Sequence, residues 1–320
     1  MTKKELKIVF FGTPEFAVAS LDKLVMGGYN VAAVVTMPDK PAGRGQQILQ
    51  SDIKKHAVAH NLPVLQPEKL KAEDFVDELR RINADLFIVI AFRMLPEVVW
   101  QMPKYGTFNL HASLLPKYRG AAPLNWAVIN GDKETGVTTF FLKHEIDTGD
   151  IIQQKRITIE DSDNAGTVHD KLMTLGADMV IETVDAIIAG AVTTIPQDQL
   201  CKGATPTPAP KIFKETCHID WNNPAEKIHN LVRGLSPYPA AWSTFEKDGK
   251  EHQLKIFETT ITGMQANGAI PGTVKTDKNN IYVACSDNYL QILSLQQSGK
   301  KRMDSSAFLR GSSLADALLK

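Results

Sequence analysis

Apolar residues in the first half of the chain fall into short continuous runs, separated by stretches with helical spacing. Leu6–Phe11 is one such run, too unbroken for a strand that shows one face to water, so it predicts a parallel strand covered on both sides. Gly12-Thr13-Pro14 ends it, and Thr13 as cap with Pro14 as first helical residue predicts a helix to about Met26, stopped by Gly27-Gly28. Val31–Thr36, Asp85–Ala91 and Gly106–His111 read as further strands, with a helical pattern over Lys69–Arg81 between the first two. Strands alternating with helices predict an α/β domain built on a doubly wound, mostly parallel, Rossmann-like sheet. The longest helical stripe covers Thr167–Ala189, where Val168, Leu172, Leu175 and Met179 recur on one face.

The pattern then changes. Ala191–Lys211 holds Pro196, Pro206, Pro208 and Pro210 with little periodicity and reads as a stiffened linker. Pro224–Leu235 reads as one helix, buried through Ile228, Leu231, Val232 and Leu235. Beyond it, Leu254–Phe257, Gly272–Val274, Ile281–Cys285 and Tyr289–Leu293 are strand-like, with turn chemistry at Asp277–Asn280 and Ser286–Asn288. Several short strands in that space predict a small antiparallel β-barrel, of which the oligonucleotide-binding barrel is one option. The division expected is thus 1–190, a linker over 191–211, and 212–320.

The length of 320 residues agrees with two domains, and 43% hydrophobic with 22% charged residues excludes a disordered, collagenous or coiled-coil chain. Residues 1–190 carry 21 basic against 24 acidic side chains and 191–320 carry 15 against 12, an offset that permits nucleic-acid contact without demanding it. No apolar run approaches the roughly 20 residues that span a bilayer, and the N-terminus has no signal-like apolar stretch, so no membrane partner is expected. Cys201, Cys217 and Cys285 form no Cys-x-x-Cys pair, which predicts reduced thiols and a cytoplasmic protein.

A doubly wound sheet raises the possibility of a dinucleotide. Gly12-Thr-Pro-Glu-Phe16 has one glycine where the fingerprint needs three, and Pro14 removes a backbone donor. No Walker loop or Gly-x-Ser-x-Gly elbow is present, and Cys217-His218 lacks a second ligand pair, so no metal is expected. The dense segment is Asn109-Leu-His111-Ala-Ser113-Leu114-Leu115-Pro116. Asn109 and His111 lie two apart on a strand, hence on one face, at a carboxyl end where open α/β sheets bind ligands. His144–Asp150 reads as a loop delivering the carboxylate of Asp147. Amide, imidazole and carboxylate together can polarise a carbonyl and move a proton. The same residues also fit a capped loop of solvated polar side chains.

Asn-x-His-x-Ser-Leu-Leu-Pro followed by Asp147-Thr-Gly-Asp150 resembles the formyltransferase family that uses 10-formyltetrahydrofolate. Gly12-Thr-Pro-Glu-Phe16, Pro38–Gly45, Ser113–Pro123, Ala209-Pro-Lys-Ile212 and Ile219-Asp-Trp221 are similar to the branch whose acceptor is initiator methionyl-tRNA, over about residues 1–310. The resemblance implies Asn109, His111 and Asp147 as catalytic residues in direct acyl transfer, with no covalent enzyme intermediate. Asn109 and His111 would stabilise the oxyanion, and Asp147 would set the tautomer of His111 and help remove the amine proton. It implies a folate site lined by Ser113, Leu114, Leu115 and Pro116, with Ser113 holding the loop, and a pterin pocket near Phe92 and Met94. The segment Ala91–Pro96 departs from the family's commoner Ala-Tyr-Gly-Leu-Ile-Leu-Pro pattern and is one residue shorter. Arg44 is implied as a contact to the tRNA acceptor end, and Phe16 as part of the pocket for the methionine side chain. Lys211, Lys214, Lys300, Lys301 and Arg302 would face the tRNA body, and the chain is expected to act as a monomer. A relative acting on an amino-sugar nucleotide would share the catalytic trio, but the Pro-Ala-Gly-Arg44-Gly loop speaks against that acceptor. Intact catalytic residues speak against a non-catalytic binder, and the C-terminal barrel against a formylfolate hydrolase.

Overall fold

The computed structural model describes residues 1–42, 47–201, 203, 205–247, 249–315 and 317–320. The described residues fall into two compact units, 1–123 with 135–157 and 169–208, and 124–134 with 158–168 and 209–320.

The first unit is organised by a seven-stranded sheet. In chain order its elements begin with β1 (Lys7–Gly12), α1 (Glu15–Met26) and β2 (Asn30–Val35). A short antiparallel pair follows, β3 (Lys40–Ala42) and β4 (Gln47–Leu49). Then come α2 (Asp52–Ala59), β5 (Val64–Leu65), α3 (Glu73–Ile82), β6 (Leu86–Ile90), α4 (Glu97–Trp100), β7 (Thr107–His111) and β8 (Arg119–Gly120). The chain passes through α5 (Pro123–Ile129), which from Leu124 belongs to the second unit, before the strands β9 (Glu134–Phe141) and β10 (Ile151–Thr158) complete the sheet; α6 (Ala165–Ala189), in the first unit from His169, and α7 (Gln197–Cys201) follow.

The strand order is β10-β9-β7-β6-β1-β2-β5. β1 pairs in parallel with both β2 and β6, and β6 in parallel with β7, whereas β9 runs antiparallel to β7. All five residues of β6 are buried, as expected of a strand covered on two faces. The chain winds outward from β1 to β2 and β5, then returns to β6 on the other side. That reversal places a topological switch point at the carboxyl ends of β1 and β6, the position where such sheets bind ligands.

Two local expectations shift. α1 starts one residue later than the cap pattern indicates, with Pro14 at the N-cap and no side-chain cap bond. The periodicity over 69–81 resolves into α3 at 73–82, because its buried face, Phe75, Val76 and Leu79, begins only there.

The second unit holds β11 (Pro208–Ala209), α8 (Ala225–Leu235), β12 (Ala241–Lys247), β13 (Lys250–Gln265), β14 (Val274–Thr276), β15 (Ile281–Ala284), β16 (Asn288–Gln297), β17 (Met303–Asp304) and α9 (Ser305–Gly311). Its sheet has the path β12-β13-β16-β15-β14, with β17 beside β16, and it is a curled antiparallel half-barrel. Register shifts along β13, near Ile256, Glu258 and Ile261, let one 16-residue strand bend across the sheet. α8 buries Ile228, Val232 and Leu235 against Phe245, Ile256, Leu290 and Ile292. Among the described residues no helix is long and apolar enough to cross a membrane.

Candidate active site

The site assembles at the carboxyl ends of β6 and β7. Asn109 and His111 share one face of β7, and pairing with Val89 on one side and Phe140 on the other fixes the height of Asn109 in the sheet. Asn109 is partly exposed and His111 is buried at 6% exposure. The His111 ring is held from two directions. Its Nε2–H donates to the Tyr118 carbonyl at 2.8 Å, and the Phe140 ring stands edge-on to it. Because a carbonyl only accepts, this bond puts a proton on Nε2 and leaves Nδ1 as the nitrogen facing Asp147. Asp147 Oδ2 lies 3.9 Å from Nδ1, beyond hydrogen-bond length, and accepts the Gly120 backbone N–H at 2.9 Å. The hydrogen bond that holds the ring is thus the one to the Tyr118 carbonyl, with the Asp147 carboxylate facing Nδ1 across 3.9 Å.

Three non-glycine residues of this region adopt left-handed backbone: Ala91 at φ 48°, Tyr118 at 64° and Asp147 at 55°. Such conformations cost about 1–3 kcal/mol each and persist where surrounding structure enforces them, commonly at functional sites. For Tyr118 the reason is visible, since the turn delivers its carbonyl to His111 while its N–H donates to Thr207 O. For Asp147 the enforcing residue is Gln197. Its buried amide donates to the carbonyls of Asp147 and Gly149, both at 2.8 Å, and its oxygen accepts from the Arg119 guanidinium. Gly149 packs so tightly that a Cβ there would lie 1.6 Å from the Phe141 carbonyl. Sequence reasoning missed Gln197, because it sits in the proline-rich stretch without periodicity.

The segment 113–116 is braced from beneath. Ser113 is fully buried and its hydroxyl donates to Lys117 O, so it shapes the loop. Thr138 Oγ1 donates to Ser113 O and accepts from the Leu115 N–H, while Gln154 Nε2 donates to Leu115 O. The Leu115–Pro116 peptide is cis. Leu115 is buried with Phe140 and Ile151, whereas Leu114 and Pro116 remain partly exposed.

At the end of β6, Phe92 packs against Phe11, under the Arg93 guanidinium. Arg93 in turn donates to the carbonyls of Pro67 and Glu68. Met94 is 69% exposed. Thr13 Oγ1, just past β1, and Arg93 Nε are buried without a hydrogen-bond partner, two polar groups at the switch point that the sequence did not single out. Phe16 is 7% exposed and meets His169 edge-on. Arg44 lies outside the described residues. In the second unit Lys211 and Lys214 lie over Phe213 and Trp242, and Arg302 pairs with Glu258.

A family model described as formyl transferase matches residues 6–184, and one described as the formyl transferase C-terminal domain matches 211–313. A methionyl-tRNA formyltransferase of Bacteroides fragilis is 59% identical over 319 residues, covering 99% of this chain and 98% of the relative. One from Flavobacterium johnsoniae is 50% identical over 313 residues, 98% of each. Among solved structures, a sugar 3N-formyl transferase determined in the presence of dTDP and 5-N-formyl-THF superposes with a TM-score of 0.65 at 21% identity. The match covers 92% of this chain and 99% of that one, a likeness of fold.

Proposed function

The chain belongs to the formyl transferase family, and on that premise we propose that it moves the formyl group of 10-formyltetrahydrofolate onto the free amino group of initiator methionyl-tRNA. The observation that carries this acceptor is the match, end to end, to methionyl-tRNA formyltransferases at 59% identity. In this reading residues 1–190 perform the chemistry, 212–320 hold the tRNA, and the chain works in the cytoplasm as a monomer.

The folate is a substrate here. Leu114, Pro116, Phe92 and Met94 would offer it apolar faces, with Ser113 and Leu115 shaping the loop beneath. The unpartnered Thr13 hydroxyl and Arg93 Nε–H support a fit to a ring system rich in donors and acceptors. Esterification to tRNA removes the carboxylate that supports the charge of an α-amino group, whose pKa is ordinarily ~7.7–8.0, so neutral amine is available near pH 7. The amine nitrogen attacks the formyl carbon, and the carbonyl electrons move to oxygen. Asn109 Nδ2 donates to that oxyanion, and His111, when protonated, adds Nδ1–H while Nε2–H stays on Tyr118 O. The Asp147 carboxylate supports the charged imidazole from 3.9 Å and takes the amine proton, directly or through water. Collapse of the tetrahedral adduct breaks the bond to N10, which leaves with a proton. Arg44 and Phe16 would bear on the acceptor end and its methionine.

The test offers the purified chain 10-formyltetrahydrofolate with either methionyl-tRNA or an amino-sugar nucleotide. Formyl-methionyl-tRNA alone should accumulate; label in the sugar, or in neither acceptor, would overturn the assignment.

A further inference from the structure

We propose that Asp22, His56 and His60 form a binding site for a divalent transition-metal ion of borderline softness, zinc being the representative, at the amino-end side of the sheet and apart from the catalytic residues. Asp22 lies on α1, His56 one turn from the end of α2, and His60 at its C-cap. Each side chain offers one ligand atom, and all three atoms lie within 4.8 Å of one another. His56 and His60 have the i, i+4 spacing that sets two imidazoles on one helix face, the arrangement of helical zinc ligands. Their ring centroids are 4.4 Å apart.

Two observations point beyond chance proximity. His56 Nε2 is buried and has no hydrogen-bond partner, an uncommon condition for a ring nitrogen. Its nearest anionic neighbour, Asp22 Oδ1, is 3.6 Å away, too far for a hydrogen bond. Two donors on a tetrahedral ion with bonds of ~2.0–2.1 Å would sit about 3.3 Å apart, so a small inward movement satisfies both.

The donor set chooses the ion. Two imidazoles and one carboxylate suit zinc, cobalt, nickel or copper and discriminate against magnesium and calcium, which prefer oxygen. Three protein ligands leave a fourth position for water. α1 and α2 both begin near the carboxyl ends of β1 and β2 and run back, so the cluster lies toward the opposite end from His111. An ion there would pin α1 to α2 and stabilise the fold without touching formyl transfer. No sequence motif announced the site, because its third donor comes from a different helix.

The experiment uses the full-length chain without an affinity tag, stripped of metal by chelation. Zinc is titrated calorimetrically, cobalt is followed by its visible absorption, and melting is recorded with zinc and with magnesium. The expected result is one zinc per chain, a tetrahedral cobalt spectrum, and a melting temperature raised by zinc but not by magnesium. His60→Ala and Asp22→Asn, both at accessible positions, should melt like the metal-free parent yet bind zinc at least about tenfold more weakly. Parent affinity no greater than that of His60→Ala, or zinc stabilisation retained when His60→Ala and Asp22→Asn are combined, would overturn the proposal.

Discussion

Asn109 and His111 share one face of β7 through an alternation of two along the strand, but their environments differ. Asn109 stays partly exposed, free to reach a substrate oxygen, while His111 is packed beneath Phe140 and tied to Tyr118 O. Asn109→Ala should therefore lower kcat by ~10²–10³, the usual loss for one oxyanion donor, with folate affinity within a few-fold of the parent. Steady-state formyl transfer alongside fluorescence titration of the folate checks this. Gln197 acts one step removed, through Asp147 and Gly149. Gln197→Leu keeps the side-chain volume and removes both donors, so the Asp147 loop should lose its fixed geometry. We expect kcat to fall about tenfold or more while KM for the folate changes little, since misplacement of a catalytic group by even an ångström is costly. A parent-like kcat would show that the loop holds itself.

At the scale of elements, the loop between β9 and β10 depends on close backbone approach. A Cβ at Gly149 would collide with the Phe141 carbonyl, so Gly149→Ala should displace the loop, abolish most activity and lower the melting temperature. A normal melt with full turnover would contradict that packing. The same loop shows what was legible in the sequence and why. β1, β2 and β6 stood out because parallel strands covered on both faces write continuous apolar runs, and β7 because Phe108 and Leu110 alternate with polar residues. β9 and β10 did not, since Glu134-Thr-Gly and Gln153-Gln-Lys-Arg156 interrupt their apolar residues. β12 was missed for a like reason, as Ala241-Trp-Ser-Thr-Phe alternates too weakly before the turn. Spacing put Asn109 and His111 on one face of β7, and their catalytic role came only with the resemblance, whereas Tyr118 and Gln197 act through a backbone carbonyl and an amide that no periodicity marks. The reduced exposure of Phe16 and Ser113 likewise required three dimensions.

For the whole molecule, the buried ionisable groups set how stability responds to pH. His229 on α8 is half-buried, bonded to Thr259, and its pKa is pushed down first by burial and then by Arg233, with Asp161 and Glu226 opposing. Folding thus favours its neutral form. The resulting stabilisation is complete above the unfolded value of about 6.5 and is lost as pH falls from there through the folded value. Denaturant midpoints should decline on acidification below about 6.5, and His229→Gln should flatten that decline; an unchanged slope would refute it. Cys285, its thiol pushed up to about 12 by burial, should resist alkylation at neutral pH until the unit unfolds. Both statements concern the unit that carries the half-barrel.

The most direct test of the central claim is single-turnover formyl transfer to methionyl-tRNA by His111→Asn, measured beside folate binding by the same preparation. An amide keeps hydrogen-bonding capacity but supplies no imidazole beside Asp147. Transfer should fall by about 10³ or more, with folate affinity held within a few-fold. Turnover equal to that of the parent would place the chemistry elsewhere in the molecule.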